Sequence, residues 1–156
     1  MSRLKIKSNR DSVPVPILAT NVGTAYAVLA RARDFSLPDE NSRFPERDPL
    51  DSSRTIRPGM LEFMADLLAT NTSGTTRWID VGIIPEGSAD VLPMPGRFTV
   101  PAGMTVVIPM RGRALLKVDP ASANGMRLMA RAEASNVFRV WGSAVEMGFD
   151  RYEVQP

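Results

Sequence analysis

The chain has 156 residues, 23% charged and 44% hydrophobic, the composition of a folded single domain rather than of a disordered or membrane-embedded chain. It has no Cys and no His, which excludes thiolate nucleophiles, zinc fingers, iron–sulfur clusters, Ser-His-Asp triads and imidazole metal ligands. Net charge is +2, with 16 Arg against three Lys (Lys5, Lys7, Lys117), a skew that suits bidentate contacts to protein or phosphate and equally a GC-rich genome.

Residues 1–12 read as an arm. Leu4 and Ile6 alternate with Arg3, Lys5 and Lys7, a period of two that suits a strand added to a sheet edge. Residues 13–30 carry no charge and follow a basic stretch, which imitates a signal peptide. Asp11 interrupts that basic stretch, Pro14 and Pro16 break a helix near its start, and Asn21, Gly23 and Thr24 fall in the supposed apolar centre. The run also has too few strongly apolar residues to span a bilayer. The reading is therefore two extended pieces, 13–20 and 24–32, with a turn between them, although Ala25, Leu29 and Ala32 also fit a helical face.

Residues 34–54 hold Pro38, Pro45 and Pro49 among Asp39, Glu40, Glu46, Asp48 and Asp51, with few aliphatics and no period. This predicts a long loop, of the kind that is functional or ordered by a partner. From Arg54 onward, extended runs alternate with turn signals at about ten-residue spacing. Turns are expected at Pro58-Gly59, Asn71 to Gly74, Pro85 to Ser88, Pro101 to Gly103, Asn124-Gly125 and Ser135-Asn136. Between them, Ile79, Val81 and Ile83 share a face. Met104, Val106, Ile108 and Met110 do likewise, as do Met126, Leu128, Ala130 and Ala132, and then Phe138, Val140, Gly142 and Ala144. Leu61, Met64, Ala65 and Leu68 sit at helical spacing in a run of helix formers, but the neighbouring runs are strand-like, so a strand is expected there too. The pattern predicts an all-β antiparallel sandwich, jelly-roll or immunoglobulin-like, spanning residues 13–156 behind the arm.

Residues 57–146 resemble a pattern of small β-sandwich proteins of tailed bacteriophage particles. The shared features are a strand ending at Asn71-Thr72-Ser73, a Pro/Gly/Ser turn at 84–88, and a turn opening the next strand at Pro101-Ala102-Gly103. The closing strand, 128–146, reads LMARAEASNVFRVWGSAVE. Arg139 and Trp141 depart from the smaller residues of that pattern, and residues 89–97 form a Pro-rich insertion. The resemblance implies a virion structural component; it does not extend to the first 55 residues.

The reactive groups do not gather. The loop carboxylates lie in a segment with no element to hold them at a catalytic separation, and Asp48-Pro49-Leu50-Asp51 lacks the ligand spacing of a calcium loop. Asp80 and Glu133 alternate with apolar residues and are expected to face outward, and Glu146 sits at a strand end near solvent. No phosphate-binding glycine loop occurs. Phe138, Arg139 and Trp141 come closest to a nucleic-acid stacking platform, with Arg127, Arg131 and Tyr152 near in sequence. Phe138 and Trp141, however, face opposite ways, which argues against nucleic acid as partner. Trp78 and Trp141 are better read as large anchors, one or both of them at a subunit contact.

The expectation is thus a non-enzymatic virion protein with no catalytic, cofactor or metal residues. It would decorate or cement a capsid after assembly in the host cytoplasm, as a homo-oligomer such as a trimer, contacting other virion proteins and no membrane. Neck, tail or fibre-base protein is the alternative within virions. A carbohydrate-binding module of a host-recognition structure is the alternative of another class, and a polysaccharide hydrolase using Glu46 or Asp48 a third.

Overall fold

The computed structural model describes residues 12–19, 21–38, 54–119 and 121–148, and these contain strands and turns with no helix. Accordingly no helix among them is long and apolar enough to cross a membrane. The strands in chain order are β1 (Ser12–Ala19), β2 (Ala27–Arg31), β3 (Phe35–Pro38), β4 (Arg54–Arg57), β5 (Gly59–Phe63), β6 (Leu67–Asn71), β7 (Arg77–Ile84) and β8 (Leu92–Val100). They are followed by β9 (Thr105–Ile108), β10 (Ala114–Lys117), β11 (Arg127–Ala132) and β12 (Phe138–Gly148). Residues 1–11 of the arm and the acidic stretch 39–53 lie outside the described residues.

β12 organises the first sheet. Its residues 140–147 pair with β1 along one edge, while residues 144–148 and 138–141 pair with β5 and β6 along the other. β10 then pairs with β5, and β9 with β6. The sheet is therefore four strands wide, β1, β12, β5/β6 and β10/β9, with its third and fourth members each broken once. The second sheet has the order β2, β11, β7, β8. With β5/β6 and β9/β10 each counted as one broken strand, the chain crosses from sheet to sheet at every step between them except the β7–β8 hairpin. The orders β1-β12-β5/β6-β10/β9 and β2-β11-β7-β8 are those of a jelly roll, so of the two sandwich types that the sequence allows, this topology selects that one.

The breaks at Met64–Asp66 and Pro109–Arg113 lie side by side and share one device. The Asp66 carboxylate accepts the backbone N–H groups of Met110 (3.0 Å) and Arg111 (2.9 Å), and Gly112 N–H donates to Phe63 O (2.8 Å). The expected single strand through residues 60–70 is thus two strands around a kink, and the helical spacing there carries no helix.

Between the sheets lie Phe63, Leu67, Ala69, Ile79, Val81, Ile108, Met110, Leu128, Phe138 and Val140, all fully buried or nearly so. Gly142 lies in that inner row because a Cβ there would come within 2.3 Å of the Leu67 side chain. Two expectations change. Residues 35–38, expected as the start of the loop, form β3 and pair with β4, whose residues 55–57 match the extended run expected there. The Pro-rich insertion is itself most of β8, with a cis Met94–Pro95 bond; it tolerates proline because it is the outer strand of its sheet, where one side of the backbone makes no ladder bonds. Pro14 and Pro16 occupy the same kind of place on outer strand β1, where they remove donors that another sheet could pair with.

Asn71 ties the turn at Asn71-Thr72-Ser73 to both sheets. Fully buried, it donates through Nδ2 to Thr75 O (2.8 Å) and Val100 O (2.9 Å), and its Oδ1 accepts from Ser73 N (2.9 Å) and Ser73 Oγ (2.7 Å). Asn71→Ala leaves those buried partners unpaired and should lower the unfolding free energy by about 2–4 kcal/mol in urea titration, the m-value unchanged.

Candidate functional site: two outward sheet faces

The two outer faces of the sandwich differ in chemistry. On the first sheet, the register brings Leu18 opposite Trp141, Trp141 opposite Leu68, and Leu68 opposite Val107. Four apolar side chains therefore form one row across all four strands. Leu18 is 71% exposed, Val107 53% and Trp141 37%, and Met64, beside the kink, is 53% exposed. A contiguous apolar stripe on an outward face, rather than scattered single residues, is the form that contact surfaces take. Arg139 lies to one side of the row, next to a Thr70–Thr105 hydroxyl pair (2.6 Å), and Glu62 to the other, opposite Val145. Phe138 and Trp141 do face opposite ways: Phe138 is in the core.

On the second sheet, the register sets Arg131 of β11, Asp80 of β7 and Arg97 of β8 side by side. Arg97 holds Asp80 bidentately, Nε to Oδ1 at 2.7 Å and Nη2 to Oδ2 at 2.9 Å, and Arg131 Nε donates to Oδ2 at 3.0 Å. Aromatic rings lie against the guanidiniums: Arg97 is 3.9 Å from the Trp78 ring centre, and Arg131 is 4.6 Å from Tyr26 and 5.8 Å from Trp78. Such stacks are cation–π contacts that also fix the orientation of the guanidinium planes. Asp80 does face outward, as expected, but it is a buried residue rather than a solvated one. Its neighbours do the covering.

Beyond Asp80 the same face is closed over. At Gly82 a Cβ would come within 2.4 Å of Val91 Cγ1 and 2.7 Å of Leu92 O, so only glycine lets residues 85–92 return across β7. Arg127 Nη2 donates to Ser88 O (2.9 Å) and holds that crossing, beneath which Met129 and Ile84 are buried despite facing away from the main core.

At one end of the sandwich, Lys117 is buried and donates to Asp34 Oδ1 (3.0 Å) and Asp119 O (2.9 Å). Arg33 pairs with Glu146 (3.3 Å); the Glu146 side chain is largely covered rather than solvated, and the exposed partner is Arg33. These groups border two open clefts of about 240 and 230 Å³. Glu133 pairs with Arg77 at 3.8 Å. Among the described residues no three acidic side chains converge as metal ligands would. Glu46 and Asp48 of the loop, and Tyr152, lie outside them.

No protein-family model matches the sequence, and no curated protein matches it. Among solved structures, a family two carbohydrate esterase from Cellvibrio japonicus is similar over 93% of this chain at 13% identity, with a TM-score of 0.28. The chain spans 37% of that protein's length, and a likeness of this degree bears on neither activity nor ligand.

The arginines set the acid behaviour of the second face. The Arg97 hydrogen bonds, opposed by burial and aided by Arg131, hold the Asp80 carboxyl below its ordinary value of 3.8. A carboxyl with a depressed folded-state pKa contributes stability that is present above the unfolded value and lost as pH falls through the folded one. Asp80→Asn should therefore be less stable than wild type by about 1–2 kcal/mol at pH 7, a figure that allows for solvent screening of two half-exposed arginines. The difference should shrink as pH falls below about 4 in urea titrations run across that range.

Proposed function

We propose that this chain is a non-enzymatic structural protein of a tailed bacteriophage particle, one that decorates or cements the capsid as a homo-oligomer. The observation that carries the reading is the apolar row Leu18–Trp141–Leu68–Val107 on the outward face of the first sheet. Its occupant is a second copy of this chain. Arg139 and Glu62, on opposite sides of the row, argue for that occupant: a copy related by a two-fold axis lying in the plane of contact, midway between them, sets each Arg139 over the other copy's Glu62. Trp141 is the natural anchor of such a contact, being large, rigid and central.

The virion setting is supported by the turn and strand pattern of residues 57–146 and by a jelly-roll topology, an architecture that recurs in viral capsid and lectin domains. Proline on the outer strands β1 and β8 disfavours edge-to-edge pairing, which leaves the faces for contact. On a shell, many copies make modest contacts collectively strong through effective concentration.

Two measurements test this. In sedimentation velocity the wild type should be oligomeric at micromolar concentration, and Trp141→Ser should shift it toward monomer while lowering stability by less than about 1 kcal/mol, since the ring is partly in solvent. A monomeric wild type would remove the observation on which the reading rests. Electron microscopy of labelled particles should find copies spread over the shell. Copies restricted to the tail axis would replace decoration with a neck, tail or fibre-base role. Absence from particles together with capture of a bacterial glycan would replace both with carbohydrate binding.

A further inference from the structure

We infer that the Arg97–Asp80–Arg131 row is a carboxylate-binding site, whose ligand is an Asp or Glu side chain presented by an acidic protein partner. The inference concerns the sheet face opposite the proposed self-contact and stands independently of the virion reading.

Donor accounting is the first argument. A guanidinium carries five N–H donors. Arg97 uses two on Asp80 and keeps three; Arg131 uses one and keeps four. These remaining donors have no other partner among the described residues. Asp80, with its side chain 9% exposed, lies beneath the row, whereas Arg97 and Arg131 are 52% and 38% exposed. The unused edges therefore lie toward solvent, on the side away from Asp80.

Charge is the second. Two cations share one anion, which leaves a surplus of one positive charge in the row. The adjacent Arg77–Glu133 pair is balanced and adds none. A single carboxylate neutralises that surplus. A phosphate dianion would overshoot it and would meet the Glu133 carboxylate nearby, so the row favours a monoanion. Because Asp80 is held below its ordinary pKa, it stays ionised and the arrangement persists through neutral and mildly acidic pH.

Preorganisation is the third. An ordinary surface Arg loses much rotamer freedom when it grips a ligand. Here each guanidinium is already fixed by Asp80 and by an aromatic ring, Trp78 for Arg97 and Tyr26 for Arg131. That cost has been met in the fold. Arg, Trp and Tyr gathered at one place are also the composition of protein–protein hot spots. The guanidinium edge matches a carboxylate in a planar, two-point fashion that an ammonium cannot copy.

The test uses the full-length protein and a poly-glutamate peptide of about twenty residues, followed by tryptophan fluorescence at low salt and by calorimetry. Wild type should bind saturably. Arg97→Lys, which keeps the charge and loses the fork, should weaken binding at least about tenfold. Arg131→Gln, which leaves the bidentate Arg97–Asp80 pair to hold the fold, should do the same with near-UV circular dichroism unchanged. Arg111→Gln, an exposed arginine at the β9–β10 turn, should bind as wild type does. The proposal fails if wild type does not bind, if Arg131→Gln binds undiminished, or if all three substitutions weaken binding equally, which would be non-specific charge attraction. It also fails if inorganic phosphate displaces the peptide at concentrations comparable to the peptide's own, since the site would then be a phosphate site.

Discussion

β12 is hydrogen-bonded along both edges for most of its eleven residues, and that double pairing decides which side chains face inward. Phe138, Val140 and Ala144 point into the core because their register partners Asn71, Ala69 and Phe63 do. Trp141 then has no choice but to face out, between Leu18 and Leu68. A slip of one residue in β12 would reverse both faces at once, placing Arg139 and Trp141 inside. The core and the outward apolar row are thus one decision read from two sides. Asn71 and Asp66 protect it, the first by joining the turn after β6 to both sheets, the second by holding the paired kinks in step.

The faces that this arrangement leaves are complementary in role. The first sheet shows apolar surface bordered by opposite charges, which suits an identical copy. The second shows a preorganised cationic row with aromatic walls, which suits an acidic partner of different kind. Two of the outer strands, β1 and β8, carry proline where unpaired donors would invite sheet extension. The Arg bias of the composition acquires a physical meaning here. Arg97 and Arg131 do what Lys cannot, while Lys117, the one Lys among the described residues, is buried against Asp34.

Much of the fold was legible because its strands are amphipathic with a period of two. Ile79, Val81 and Ile83, and later Leu128, Ala130 and Ala132, alternate cleanly, and the turn residues between runs are Gly, Pro, Asn and Ser. The helical spacing at Leu61, Met64, Ala65 and Leu68 was misleading for an instructive reason. Leu61 points inward while Met64 and Leu68 lie on the outer face, so a strand that is apolar on both faces imitates a helical stripe. The ambiguity was a trace of the outward row. The Asp80 row was not legible, because its partners lie 17 and 51 residues away and only strand order brings them together. Nor was the burial of Met129 and Ile84, which depends on a return crossing that only Gly82 permits.

Since the chain has no Cys, a single introduced thiol reports on one place without background. Ser143 is exposed on the outer face of the first sheet, near where a two-fold axis between Arg139 and Glu62 would pass; Thr99 is exposed on the second. The most direct measurement is oxidative cross-linking of Ser143→Cys and Thr99→Cys, each alone, at micromolar concentration. Self-contact through the first sheet should give a covalent dimer from Ser143→Cys that Trp141→Ser abolishes, and monomer from Thr99→Cys. Monomer from both, or cross-linking through Thr99→Cys alone, would contradict the assignment of the first sheet to self-contact.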